Sequence, residues 1–152
     1  MWHNQPIPGN TVLLLILNGN LAELGRLTAE TARFCRRHAL DGEVEFDLNL
    51  VLEELFTNSV RHGGCNGLEG AAEVRFTMLA DAVGLEYADR GTPFDPLAAP
   101  EPDLTAPLEE RLMGGLGVHL IRQTMRDFEY QRRDGWNRTR MRRPIPAEGA
   151  KG

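Results

Sequence analysis

Apolar positions along this chain change their period several times, and each change marks an element. Ile7–Leu17 is rich in Val, Ile and Leu and closes at Asn18-Gly19, which predicts a strand. Leu21–His38 has apolar residues at 21, 24, 27, 31/32 and 34/35, the spacing of a helix, with Asn20 placed as its N-cap. Asp41-Gly42 breaks the pattern. Val44–His62 reads as a second helix whose core face is Leu48, Val51, Leu52, Leu55, Phe56 and Val60. Ala72–Leu79 and Val83–Asp89 predict a hairpin across Ala80-Asp81-Ala82. Gly117–Arg126 is helical in period, with Leu116, Leu120, Ile121 and Met125 on its apolar side. Phe128–Arg132 and Asn137–Arg142 form a last hairpin around Arg133-Asp134-Gly135-Trp136.

Thr92–Met113 has no sustained period and carries Pro93, Pro96, Pro100, Pro102 and Pro107 among acidic residues. A long segment of this kind in a small domain marks a lid or a binding loop. The order strand, two helices, hairpin, lid, helix, hairpin predicts an α+β fold. It is expected to be a two-layer sandwich, with the helices on one face of a mixed, mostly antiparallel sheet. Residues 1–6 and 144–152 read as loose ends around one domain, 7–143.

Length and composition fit a single core-forming domain: 152 residues, 41% hydrophobic and 26% charged. The net charge of −5 disfavours nucleic acid as a direct partner, because phosphate binding needs a basic surface. Arg126, Arg132, Arg133, Arg138, Arg140, Arg142 and Arg143 crowd the C-terminal end; they read as a solvated strand edge. Cys35 and Cys65 form no disulfide framework and no metal pattern, which suits a reducing, cytoplasmic setting. The apolar run Val12–Leu17 is too short to span a bilayer and has no signal-peptide flanks, so no membrane partner is expected.

Three clusters carry candidate chemistry. Glu54, Asn58 and His62 stand at i, i+4 and i+8, one stripe of the second helix, just before Gly63-Gly64. Magnesium takes oxygen ligands shared between protein, water and substrate phosphates. A neutral amide oxygen at Asn58 can ligate it without competing for phosphate charge, and Glu54 then lies beside the metal as a base. Asp89 ends an apolar strand and precedes Gly91; a carboxylate there can accept from an exocyclic amine while the glycine lets a flat ring approach. Gly114-Gly115-Leu116-Gly117 precedes a helix, where backbone N–H groups form an anion cradle. Each cluster alone also fits a bland reading: polar surface, a turn, and a flexible hinge.

Together and in this order, the clusters resemble the GHKL ATPase superfamily, which includes gyrase and histidine-kinase catalytic domains. Glu54 and Asn58 match its Glu-x-x-x-Asn box, Asp89 and Gly91 its Asp-x-Gly, and Gly115-Leu116-Gly117 its second glycine box. Thr57-Asn58, His62-Gly63, Pro93-Phe94-Asp95 and Gly114 to Ile121 look like the small bacterial anti-sigma factor serine kinases within it. The likeness runs over about residues 7–143.

The resemblance implies a Bergerat-type fold binding ATP and Mg²⁺. Asn58 would ligate the metal and Glu54 would activate a serine hydroxyl. Asp89 would hold the adenine amine beside Gly91 and Phe94. Gly114, Gly115, Leu116 and Gly117 would border the phosphates. One departure stands out: relatives often read Asn-Arg-Leu-Thr near the end of the last strand, and here Arg140 falls where that Thr would be.

The leading expectation is a serine/threonine protein kinase acting on an anti-sigma factor antagonist, which also binds a sigma-like factor. The alternative is a nucleotide-dependent interaction module that transfers no phosphate. A histidine-kinase catalytic domain is a third reading, disfavoured because this sequence carries no dimerisation helix with a phosphoacceptor His. A homodimer is possible, though no apolar seam compels it. The first helix carries Arg26, Arg33, Arg36 and Arg37 on its outward side, a candidate docking face for the protein partner.

Overall fold

The structure, a computed structural model, describes residues 10–98 and 115–146, with the side chains of 10–12, 97 and 115–118 left undescribed. Its elements are β1 (Asn10–Leu17), α1 (Leu24–Arg37), α2 (Gly42–Arg61), β2 (Ala72–Met78), β3 (Ala82–Asp89), α3 (Gly115–Thr124), β4 (Arg126–Arg133) and β5 (Trp136–Pro144). Short 3-10 turns occupy Leu21–Glu23 and Pro96–Ala98. Every predicted helix and strand is present, with ends moved by a few residues. Asn20 does cap the chain before α1: its side chain accepts from Ala22 N at 2.9 Å. The residues it caps form a 3-10 turn that runs on into the helix. The expected loose end 1–6 and the segment 99–114 lie outside the described residues. At the other end the fold runs past 143: β5 continues to Pro144, and Ile145 N donates to Asp81 O at 2.9 Å.

The sheet has five strands in the order β1-β2-β3-β5-β4. All four described pairings are antiparallel, so the expected mixed character is corrected. The reason lies in the connections. One helix between two strands returns the chain in the same sense, and two helices return it reversed. α1 and α2 together therefore place β2 antiparallel to β1. The single helix α3 sets β4 parallel to β3, but β5 inserts between them and pairs antiparallel with both.

Among the described residues, helices cover one face only. In β1, Leu15 and Leu17 are buried while Leu14 and Ile16 are 51% and 52% exposed, which a second helical layer would prevent. The core is α2 against the inner face of the sheet. Leu48, Val51, Leu52, Leu55, Phe56 and Val60 meet Val74, Phe76, Val83 and Leu85, and α1 adds Leu27 and Phe34. The stripe predicted from period is thus the packed one.

The arginine-rich end is not simply a strand edge. β5 is an interior strand, in which buried Asn137, Thr139 and Met141 alternate with outward Arg138, Arg140 and Arg142. Arg140 pairs with Glu129 at 2.7 Å and Arg142 with Asp127 at 3.6 Å, while Arg138 stacks over Trp136 at 5.5 Å. Only Arg126, Arg132 and Arg133 lie on the edge strand, β4.

Candidate functional site

α2 crosses the inner face of β3 and β5 and is fixed at both ends. Near its start, Asp47 pairs with Arg143 of β5 at 2.9 Å. Three turns later, Ser59 Oγ lies 2.6 Å from Tyr87 Oη and donates to Asp89 Oδ2 at 2.7 Å. A hydroxyl has one hydrogen, and a carboxylate is the stronger acceptor. The chain of donation therefore runs from Tyr87 through Ser59 to Asp89. Burial, followed by the nearby Asp89 charge, holds the Tyr87 phenol well above its ordinary pKa, so it stays a donor.

Cross-strand register supplies the remaining floor. Tyr87 pairs with Thr139 and Asp89 with Asn137, and all four side chains face inward. Asp89 Oδ1 accepts from Gly91 N and from Asn137 Nδ2, each at 2.9 Å. With α2 and the segment Thr92–Pro96, this floor encloses a cavity of about 340 Å³, within the range of small-molecule clefts. Leu55, Pro93, Phe94 and Pro96 are its apolar lining; Asn58, Ser59, His62, Asp89, Asn137 and Thr139 are polar.

On α2, Asn58 Nδ2 donates to Glu54 Oε1 at 3.1 Å. A carboxylate only accepts, so the Asn58 NH₂ turns to Glu54 and its amide oxygen is left for a ligand. Glu54 itself is half-buried and does not line the cavity. Its pKa is raised, first by burial and then by Glu53, against the lowering effects of the Asn58 hydrogen bond and the His62 charge. An elevated carboxyl pKa moves the group toward the working range of a general base.

The expected site residues sort clearly. Asn58, Asp89 and Phe94 share the cavity, and Glu54 stands one turn behind Asn58. Gly91 lies outside the lining. It is needed because the backbone closes on itself there: a Cβ would sit 2.7 Å from Gly63 O and 3.3 Å from Cys65 Sγ. Gly115 opens α3, and Leu116 and Gly117 fall in its first turn, so the glycine cluster does begin a helix. Gly114 lies outside the described residues.

This chain matches the family model described as histidine kinase-like ATPase domain over residues 17–143. It belongs to that family. Among curated relatives it is similar to the serine/threonine-protein kinase BtrW of Bordetella bronchiseptica, 35% identical over 66% of this chain and 71% of the relative. It is also similar to the serine-protein kinase RsbW of Bacillus pumilus, 35% identical over 61% of this chain and 60% of that protein. RsbW of Listeria monocytogenes is 29% identical over 70% and 69%. Among solved structures, the RsbU and RsbW domains of a Mycobacterium tuberculosis protein superpose with a TM-score of 0.65 at 14% identity. They cover 89% of this chain and 33% of that one, a likeness of fold. Membership of an ATPase family implies that the chain binds ATP.

Sequence reasoning missed Ser59, Tyr87, Asn137 and Thr139 as site residues. Tyr87 had a usable signal, since it shares the face of Asp89 two residues on. Asn137 and Thr139 had none without the β3–β5 register. At that register Arg140 points to the open face and pairs with Glu129, while Thr139 lines the cavity. No group of three or more His, Cys, Asp or Glu is placed to hold a metal among the described residues. An ion held mostly by phosphate and water needs less, and the single turned amide oxygen of Asn58 fits that demand.

Proposed function

We propose that this chain is an ATP- and Mg²⁺-dependent protein serine/threonine kinase of the anti-sigma type, which phosphorylates an anti-sigma factor antagonist. The observation that carries it is that Asn58 and the Asp89 acceptor line one cavity, with Glu54 bonded to Asn58 one turn behind it on α2. Asp89 takes the exocyclic amine of adenine. Asn58 contributes one oxygen to Mg²⁺, which supplies charge neutralisation at the phosphates. Glu54, drawn to Asn58 and raised in pKa, accepts the proton of the serine hydroxyl. The relatives' names as serine kinases support phosphotransfer to protein.

The partner docks on the outward side of α1. Arg36 and Arg37 are exposed there, and Arg33 is held by Glu30 at 3.0 Å. Arg26 belongs to the fold instead, since it bonds Glu23 and Ile16 O. The test incubates the chain with labelled ATP and a candidate antagonist protein. Labelled phosphoserine on the antagonist, lost with Glu54→Gln, is the expected result; no label with wild type, despite ATP binding, overturns the kinase reading. Replacing Arg33 and Arg37 by Glu is expected to slow antagonist binding at low salt and leave ATP affinity unchanged.

A further inference from the structure

We propose that Asn137 is a positioning residue of the nucleotide site, which fixes the orientation of Asp89 toward the base and ties the rim segment Thr92–Phe94 to it. The inference rests on the nucleotide reading above. Asn137 is 5% exposed and its amide is fully used. Nδ2 donates to Asp89 Oδ1 at 2.9 Å and to Thr92 O at 2.7 Å. Oδ1 accepts from Phe94 N at 3.1 Å and from Tyr130 Oη at 2.5 Å. A primary amide has two N–H donors and two acceptor sites, and all four are matched.

Two consequences follow. The first concerns Asp89. With Gly91 N and Asn137 on Oδ1 and Ser59 on Oδ2, the carboxylate cannot turn, and the acceptor capacity left over lies on Oδ2. A fixed acceptor favours a base carrying an amine over one carrying a keto oxygen. The second concerns the rim. Phe94 lines the cavity, and its amide hangs from the same side chain that holds Asp89. Wall and floor therefore move as one unit.

The chemistry makes this testable by a near-isosteric change. In Asn137→Asp, the oxygen replacing Nδ2 faces two acceptors, Asp89 Oδ1 and Thr92 O. A protonated carboxyl has one O–H, so only one of the two contacts survives, and only while the new carboxyl carries its proton. Asp89 of β3 and Asp95 of the rim favour that proton; Arg132 of β4 opposes it, and Tyr130 of β4 donates to the other oxygen. Binding by this variant should therefore be stronger at low pH and weaken as pH rises through the new titration.

The experiment measures ATP and inosine triphosphate binding by calorimetry from pH 5 to pH 8, for wild type, Asn137→Asp and Asn137→Leu, with circular dichroism to confirm folding. The ratio of Asn137→Asp to wild-type Kd for ATP is expected to rise roughly tenfold or more between pH 5 and pH 8. Asn137→Leu is expected to lower the preference for ATP over inosine triphosphate, which a purely structural loss would leave unchanged. A Kd ratio flat with pH, or an unaltered nucleotide preference in folded Asn137→Leu, overturns the role of Asn137. Wild type that binds neither nucleotide overturns the nucleotide reading itself, and so the inference with it.

Discussion

Glu54 is placed at a cost to the fold, and that cost is measurable. Its folded pKa is raised, so between the ordinary carboxyl value and the raised one the folded state holds a proton the unfolded state has lost. Stability from this group is present below the ordinary value and is lost as pH rises through the raised one. Glu54→Gln is therefore expected to melt at a higher temperature than wild type at neutral pH, with the gap closing under acid. The same change should cut phosphotransfer about 10²–10⁴-fold while ATP binding persists. A thermal melt series and a labelled-ATP assay check both arms. In wild type, the acid limb of the rate should be shifted upward from the ordinary glutamate value, because only the deprotonated group accepts the proton. Asp89 is a carboxylate surrounded by donors. Asp89→Asn turns an NH₂ against one of those donors and leaves it unmatched. Loss of a charged hydrogen bond costs about 1.5–3 kcal/mol, so ATP affinity should fall roughly tenfold or more, as calorimetry would show.

Between elements, the site depends on backbones that touch. The loop after α2 is wedged between two glycines. A Cβ on Gly19 would lie 1.7 Å from Cys65 O, and one on Gly91 would lie 2.7 Å from Gly63 O. That same Gly63 carbonyl accepts from Thr92 N at 2.9 Å, which ties the end of α2 to the cavity rim. Gly91→Ala cannot be absorbed by a side-chain rotation, because the obstacle is backbone. It is expected to destabilise the fold by about 1–3 kcal/mol and to weaken ATP binding as well. Denaturant unfolding together with nucleotide titration reads both. A stable variant with unchanged affinity would show that the rim adjusts independently of α2.

For the whole molecule, α2 acts as a beam held at two ends, with Asp47–Arg143 at one and Ser59–Asp89 at the other. The side chains of the ion pair are 12% and 13% exposed. Arg143→Met leaves the Asp47 carboxylate without that partner in a largely dry place, at an expected loss of about 3–5 kcal/mol. Adding Asp47→Leu should recover much of the loss, since the desolvated charge goes with it. Chemical denaturation of the two single variants and the double variant closes the cycle. If the single variants cost nothing, the beam is held by apolar packing alone. Among the described residues, no helix is long and apolar enough to cross a membrane.

What the sequence determined by itself is local and periodic. The core stripe of α2, the cap at Asn20, the β2–β3 hairpin and the spacing of Glu54, Asn58 and Asp89 all follow from residues close together in the chain. Helix and strand periods are fixed by backbone geometry, so those features are legible one segment at a time. The tertiary structure decided what depends on register and insertion. The placement of β5 between β3 and β4 made the sheet wholly antiparallel and turned an expected edge into an interior strand. The pairing of Asp89 with Asn137 and of Tyr87 with Thr139 set which residues face the cavity, because a one-residue slip reverses every side chain. Asn137 lies 48 residues from Asp89 along the chain. Its four hydrogen bonds exist only once the stretch 89–94, Tyr130 of β4 and Asn137 of β5 have been brought together, and no local pattern encodes that meeting.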